Sequence, residues 1–249
     1  IMKRATGKSF ASLMKERILD PLGMGNSWPN YPSSLIAMGR TPYPADWDGG
    51  DIKVARPYQL NVSYEIVPGR YYEGVNTAVG LVSTVVDLAK FDIALDQNIL
   101  LNEKTKANML APAIPIYPGR TDLMHGLGWF AQEYKGTRLN WHAGRNPPSV
   151  SANYIKVPVE NLTFIIMANT AHLNTPQPHG DILYSTLGLA FYETFVYPRH
   201  YTSAIPEVNW EAGENDLVDQ LGQVSDSDLR EILERELWAY RQLFASVGK

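Results

Sequence analysis

The spacing of apolar residues changes part-way along the chain. Up to about residue 118, apolar positions recur at helical spacing between proline-rich stretches, as in the stripe formed by Phe10, Leu13, Met14 and Ile18. Ser9 is placed to cap that helix, and Thr84 is placed to cap another helix that runs through Leu95. A further helix is predicted from Asn102 or Glu103 to Leu110. We therefore expect this part of the chain to be helical and rich in loops.

From residue 119 the period changes from that of a helix to that of a strand. Four runs alternate as strands do and are joined by short links: residues 126–134, 138–142, 150–157 and 162–168. Consecutive strands with such short connections pair antiparallel. The strongly apolar stretch 181–196 predicts a helix that covers the sheet. Helices, then an antiparallel meander and then a covering helix together predict an α+β fold.

Some stretches of the chain lie outside these two patterns. Residues 54–60 and 62–67 predict a short hairpin, whereas residues 28–50 carry four prolines and predict a long loop. From Pro206 the chain becomes acidic and then opens a second amphipathic helix after residue 225. We expect three regions: a helical and loop-rich region at 1–118, a sheet with its covering helix at 119–205, and an appended helical tail at 206–249.

Composition narrows the classes of function. The chain has 249 residues, of which 45% are hydrophobic and 19% charged, as expected of a protein with a buried core. The net charge of −4 disfavours nucleic acid as a partner. No apolar run reaches the roughly 20 residues that a membrane span requires. The absence of cysteine excludes disulfides, thiolate catalysis and cysteine-ligated metal centres.

Metal and cofactor motifs are not found either. The five histidines include no pair at i, i+4 and no His-Glu-x-x-His, so we predict no metal site. Gly126-Leu127-Gly128 lies inside a strand pattern without the helix start that a dinucleotide site needs. We therefore expect no cofactor.

A literal Ser-x-x-Lys sequence occurs near the start, at Ser12-Leu13-Met14-Lys15. In such a motif one helical turn brings a lysine amine beside a serine hydroxyl, as base and nucleophile. Leu13 and Met14, however, belong to the apolar stripe of a charged amphipathic helix. We therefore interpret this match as part of a surface helix, not as a nucleophile with its base.

The sequence most suggestive of chemistry is Trp141-His142-Ala143-Gly144-Arg145, between two predicted strands. A His-x-Gly at a strand edge suits an acyl-transfer cleft. The glycine admits substrate backbone, the next N–H can face a developing oxyanion, and the histidine faces the substrate. Taken alone, His142 is also compatible with an ordinary hydrogen-bonded strand residue.

Several segments together resemble one family. They are Thr6 to Phe10, Ile18 to Met24, Gly80 to Thr84 followed by Asp87 to Phe91, Gly126 to Trp129, His142 to Gly144, and Phe164 to Asn169. In this order they are similar to serine β-lactamase-like hydrolases, the group of class C β-lactamases, DD-peptidases and related esterases. The resemblance covers about residues 1–198. It implies a β-lactamase/transpeptidase-like fold, an antiparallel sheet covered by helices, that is incomplete at its N-terminus.

The resemblance also implies roles for a few residues. His142 would stand for the Lys or His of the third family motif, and Arg145 would supply one oxyanion donor through its backbone N–H. Ala143 and Gly144 would contact substrate, although Ala143 lacks the hydroxyl of the more common Thr or Ser. Arg145 and Pro148 stand where many relatives have glycine, which disfavours efficient β-lactam hydrolysis.

Two other motifs of such hydrolases, a catalytic Ser-x-x-Lys and a Tyr-x-Asn, lie N-terminal to the segments matched here. None of the 14 tyrosines has asparagine two positions later, and the chain opens at Ile1 inside a predicted helix. We therefore expect a C-terminal portion of a serine acyl hydrolase that is inactive by itself.

Such a hydrolase would act on a small ester, amide or peptide and would be located outside the cytoplasm, as the resemblance implies. Its partner would be a complementary N-terminal fragment or a second copy. A non-catalytic binding protein with the same fold, and an unrelated α+β domain, remain as alternatives.

Overall fold

A computed structural model describes residues 1–28, 55, 57–61, 63, 65–69, 80–146, 150–171, 181–200 and 214–244. The loop predicted over residues 28–50 lies outside the described residues except for Trp28. The chain divides into two compact units. The first unit comprises residues 1–110, 144–152 and 165–172, and the second comprises residues 111–143, 153–164 and 173–249.

The helices of the first unit follow the predicted pattern. Among the described residues they are α1 (Met2–Thr6), α2 (Phe10–Met14, continued by a π-helical turn Lys15–Leu19), α3 (Val85–Asp96) and α4 (Glu103–Leu110). Ser9 caps α2 by accepting the backbone N–H of Ser12 at 3.1 Å. Thr84 caps α3 in the same way, accepting from Asp87 N–H at 3.1 Å. Both predicted caps are confirmed.

A short hairpin also belongs to the first unit. Strands β1 (Tyr58–Leu60) and β2 (Ile66–Pro68) pair antiparallel, with Leu60 opposite Ile66. The hairpin is confirmed, although its strands are shorter than the predicted runs at 54–60 and 62–67. The N–H of Tyr58 donates to the carbonyl of Asn169 at 2.8 Å.

In the part of the chain that the structure describes, the main sheet has six strands, which follow one another in chain order. They are β3 (Ile114–Pro115), β4 (Leu123–His125), β5 (Phe130–Tyr134), β6 (Thr137–Asn146), β7 (Val150–Val157) and β8 (Leu162–Ala168). The pairs from β3 to β6 are antiparallel. With the helices, this makes the chain α+β, as predicted from the change of period.

The first predicted strand of the sheet was wrong at its start. Residues 126–129 form a tight turn between β4 and β5, closed by a 2.7 Å hydrogen bond from Gly126 N–H to the Trp129 carbonyl. Gly128 has φ +79, a conformation that a residue without Cβ adopts at no steric cost. The apolar residues of this stretch led to the prediction of a strand, but Gly126 and Gly128 allow the chain to form a turn there.

The predicted helix over residues 181–196 is confirmed in position but is not uniform. A 3-10 turn (Ile182–Tyr184) leads into α5 (Thr186–Phe191), a π-helical turn (Tyr192–Val196) and α6 (Tyr197–His200). We call residues 182–200, from the 3-10 turn to the end of α6, the covering helix. Asp181 caps its beginning by accepting from Leu183 N–H at 2.9 Å.

The covering helix closes the main core, which lies in the second unit. From the sheet this core contains Trp141 and Ile155, from the covering helix Tyr192 and Val196, all at most 2% exposed. Ile232, from the C-terminal tail, belongs to the same cluster and is 0% exposed. The predicted tail therefore packs on the second unit as part of its core.

The described part of the tail is a pair of helices. α7 (Glu214–Gln223) and α8 (Ser227–Phe244) pack on one another through buried Leu217, Leu233 and Leu237. Asp226 accepts the backbone N–H of Leu229 at 3.2 Å at the start of α8. We call α7 and α8 together the C-terminal hairpin.

Candidate functional site

The predicted His-x-Gly motif lies where strand β6 continues past its neighbour. The ladder between β5 and β6 runs from Tyr134 opposite Thr137 to Phe130 opposite Trp141. β6 itself continues to Asn146. The segment from His142 to Asn146 therefore extends beyond the end of β5 and has no β5 residue paired beside it.

Alternation along β6 separates His142 from its neighbours. Trp141 is 2% exposed and stacks on Phe130, with ring centroids 4.2 Å apart. Ala143 also packs against the main core, whereas His142 is exposed. Because successive side chains of a strand point to opposite faces, His142 projects away from that core. Trp141 and His142 therefore lie on opposite faces of β6, and His142 is not a buried core residue.

The surroundings of His142 favour its neutral form. The Phe130 ring lies 5.9 Å from the imidazole of His142 and 4.2 Å from that of His125. Partial desolvation lowers the pKa of His142, the charge of His125 lowers it further, and a hydrogen bond with the backbone of Ala143 opposes both. At neutral pH the imidazole therefore acts as a hydrogen-bonding group and not as a fixed cation.

Sequence reasoning did not place His125 and Phe130 in this neighbourhood. In the sequence, His125 is one of five histidines without metal-ligand spacing, and Phe130 lies within a predicted strand. Their proximity to His142 depends on the register that sets His125 opposite Phe130 and Phe130 opposite Trp141. No spacing along the chain shows that register.

The two later motif residues belong to the first unit. Gly144 is exposed, and a Cβ added to it would meet no atom within 4 Å. Arg145 is exposed as well, and its Nε donates to the carbonyl of Ala171 at 3.0 Å. The open space at Gly144 is what close approach of a substrate backbone requires, while Ala143 offers its backbone, since its side chain faces the core.

The literal Ser-x-x-Lys near the start is engaged in other contacts. The hydroxyl of Ser12 hydrogen-bonds with that of Ser9 at 2.7 Å, and the amine of Lys15 forms an exposed ion pair with Asp20. These contacts belong to a helix start and a charged surface. They support the interpretation of this match as part of a surface helix.

Within the described ranges, no three His, Asp or Glu side chains gather as a metal site would require. None of the helices described combines the length and the apolar character needed to cross a bilayer.

Comparison with known proteins gives a consistent family. A family model described as Beta-lactamase matches residues 1–185. No match was found among curated proteins. Among solved structures, the octameric penicillin-binding protein homologue from Pyrococcus abyssi aligns with a TM-score of 0.58 at 20% identity, over 80% of this chain and 41% of its own.

Two further structures have similar folds. The penicillin-binding protein from Bacillus halodurans gives a TM-score of 0.55 at 19% identity, over 75% of this chain and 52% of its own. The D-stereospecific amidohydrolase from Streptomyces sp. gives a TM-score of 0.53 at 18% identity, and the alignment covers 79% of this chain and 51% of the amidohydrolase. This chain thus spans about half the length of the structures it matches. By the family match over residues 1–185, the chain belongs to the Beta-lactamase family.

Proposed function

We propose that this chain is a C-terminal portion of a serine acyl hydrolase that acts on a small ester, amide or peptide. The observation that carries the proposal is the position of His142. In a chain of the Beta-lactamase family, this residue projects from β6 beyond the end of β5, away from the core. A penicillin-binding protein homologue and a D-stereospecific amidohydrolase among the structural neighbours support amide or peptide substrates.

Within such a hydrolase, His142 orients the substrate and the groups that move protons to and from the nucleophile. Its lowered pKa suits this role because a neutral imidazole both donates and accepts hydrogen bonds. The backbone N–H of Arg145 is one of two oxyanion donors, and the open space at Gly144 admits the substrate backbone.

The nucleophile and its base belong, in this proposal, to the other half of the hydrolase. Ser12 and Lys15 contact Ser9 and Asp20, and no tyrosine is followed two positions later by asparagine. An oxyanion donor without a nucleophile forms no acyl-enzyme. The 249-residue chain alone is therefore inactive.

Strand β8 is where we propose that the other half attaches. It is the last strand in the order of the sheet, and each of its residues, Leu162–Ala168, is half-buried. An edge strand of this kind, for which the described residues show a neighbour on one side only, accepts another strand through the backbone groups of its outer edge. The partner is a complementary N-terminal fragment or a second copy of this chain, and light scattering of the purified chain distinguishes a monomer from a self-associated form.

Labelling with a fluorophosphonate serine probe tests the proposed function. The purified chain should take up no label and should not hydrolyse an activated ester. The longer polypeptide that contains this sequence should take up one label per chain, at a serine outside residues 1–249, and should hydrolyse the ester. Stoichiometric labelling at Ser12, abolished by Ser12→Ala, would contradict the proposal. A longer polypeptide that binds amides or peptides without reacting with the probe would instead identify a non-catalytic binding protein.

A further inference from the structure

Two carboxyl groups meet between the covering helix and the C-terminal hairpin. Glu193 lies on the π-helical turn of the covering helix, and Glu236 lies on α8. The two side chains share a hydrogen bond. Glu236 is 8% exposed and Glu193 is half-buried. A hydrogen bond between two carboxyl groups requires a proton on at least one of them, so this contact exists only in a protonated form.

Each of the two carboxyl groups has a buried oxygen that no hydrogen-bond donor of the described residues reaches. Oε1 of Glu193 and Oε2 of Glu236 are buried and have no hydrogen-bond partner within the part of the chain that the structure describes. A buried carboxylate without a partner is costly, whereas the neutral acid is much less so. Desolvation and the adjacent Glu236 carboxyl both raise the pKa of Glu193. Desolvation also raises the pKa of Glu236, and the hydrogen bond with Glu193 opposes it.

The cations of the packed elements have other contacts. On α8, Arg235 pairs with Asp181 and Glu231, and Arg241 pairs with Glu214. Lys135, next to β5, also pairs with Glu231. At the end of the covering helix, Arg199 and His200 pair with Glu160. Other described charged or titratable groups of these elements include Arg230, which bonds to the Val224 carbonyl, exposed Glu234, and the tyrosines Tyr134, Tyr184, Tyr192 and Tyr197. No described cation offsets ionisation of the pair.

Glu236 lies at the centre of the contacts that hold α8. Its neighbours in sequence, Arg235 and Leu237, are buried, and Leu237 joins α8 to α7. One turn earlier, Ile232 is buried in the main core. Two residues later, Trp238 packs edge-on against Tyr184 with ring centroids 5.0 Å apart. Ionisation of Glu236 would therefore place a negative charge inside the buried surface that holds the C-terminal hairpin in place.

We propose that Glu193 and Glu236 form a pH-sensitive latch, which holds the C-terminal hairpin on the covering helix while they share a proton and loosens it when both are ionised. A carboxyl group that is protonated in the folded state and ionised in the unfolded state stabilises the fold less as pH rises. The loss begins near the ordinary carboxyl pKa of 4.5 and continues to about pH 8, where Glu193 ionises. The hairpin is thus docked at acidic pH and loosened at mildly alkaline pH.

Loosening is measured on the purified chain through the tryptophan that lies on this surface. The emission of Trp238, obtained by subtracting the spectrum of Trp238→Phe, is followed in denaturant titrations at about pH 5.5 and about pH 8.5. For the wild type, the opening equilibrium constant should rise with pH by up to about tenfold per unit for each proton lost. Glu236→Gln keeps a hydrogen-bonding side chain but cannot ionise, so its profile should be flatter and its hairpin more firmly docked at alkaline pH.

Two other variants complete the test. Glu193→Gln should give the same flattened profile and serves in its place if Glu236→Gln fails to fold. Glu234→Gln removes an exposed carboxyl of the same helix and should keep the wild-type profile. Parallel pH profiles of the wild type and both latch variants would overturn the proposal, as would a flattened profile in Glu234→Gln. None of these measurements depends on catalytic activity.

Discussion

Arg235 and Asp181 form a buried ion pair between the C-terminal hairpin and the beginning of the covering helix. Nη1 of Arg235 donates to Oδ2 of Asp181 at 2.7 Å, and the two side chains are 9% and 5% exposed. Oδ1 of Asp181 accepts from Gln132 on β5 at 2.6 Å. The guanidinium also lies over the rings of Tyr134 and Tyr184, at 4.7 Å and 4.8 Å. One carboxylate thus joins the sheet, the covering helix and the tail.

Replacing Arg235 should therefore destabilise the second unit strongly. In Arg235→Met the carboxylate of Asp181 stays buried without its cation, which costs about 3–5 kcal/mol. The free energy of unfolding, measured in urea, gives the loss. Asp181→Asn combined with Arg235→Met should recover part of it, because no buried charge then remains unpaired. As a control, Arg241→Met removes an exposed ion pair with Glu214 and should change stability by less than about 1 kcal/mol. Similar losses of stability in Arg235→Met and Arg241→Met would contradict the conclusion that the buried ion pair with Asp181 stabilises the second unit.

His142→Ala should separate catalysis from stability. Because the imidazole is exposed and outside the core, unfolding of the 249-residue chain should change by no more than about 0.5 kcal/mol. In the longer hydrolase that we propose, kcat/KM should fall by about 10²-fold or more, the usual effect of removing such a group. Melting and kinetics measured on the same preparation decide the matter. An unstable variant with normal turnover would show that His142 is structural.

Gly144→Ala tests whether substrate approaches this part of β6. The added Cβ meets no atom within 4 Å, so the stability of the chain should stay the same or rise by up to about 1 kcal/mol. Hydrolysis by the longer polypeptide should fall by about tenfold or more, because the methyl group displaces a closely positioned substrate. Gly222→Ala, where the space is equally open, is the matched control. Unchanged hydrolysis in Gly144→Ala would place the substrate elsewhere.

Asp87 should make the stability of the first unit depend on pH. Its buried carboxylate accepts from Asn26 N–H at 2.7 Å, from Ser27 Oγ at 2.9 Å and from Lys90 Nζ at 2.8 Å. Burial by itself would raise the pKa of Asp87, but the hydrogen bonds from Lys90, Ser27 and Asn26 outweigh it and hold the pKa below its usual value. The carboxylate therefore stabilises the fold above the ordinary carboxyl pKa, and this contribution disappears as pH falls through the lowered value.

Asp87→Asn should accordingly cost about 1–3 kcal/mol at neutral pH, since the buried donors lose a charged acceptor. The difference from the wild type should shrink below about pH 4, where the carboxyl group of the wild type begins to take up a proton. Asp20→Asn, at an exposed ion pair with Lys15, should differ little from the wild type at any pH. A pH-independent difference between wild type and Asp87→Asn would refute the electrostatic explanation.

Local patterns in the sequence were sufficient for most elements of the fold. Ser9 and Thr84 cap the helices that they were predicted to cap, because a cap depends only on a side chain and an N–H three residues away. β7 (Val150–Val157) and β8 (Leu162–Ala168) match the predicted runs, since alternation along a strand is visible in the chain itself. The same alternation placed Trp141 and His142 on opposite faces.

The sequence alone thus determined the α+β class, the helix caps, two complete strands and, through the resemblance, the family. Only the tertiary structure decided that 126–129 is a turn, that His125 and Phe130 lie beside His142, and that Arg235 reaches Asp181. The last contact joins residues 54 positions apart. It depends on strand register and helix packing, which arise from burial summed over the whole core. Such contacts leave no periodic signal in the chain, and for this reason the pairing of Glu193 with Glu236 was visible only in the folded protein.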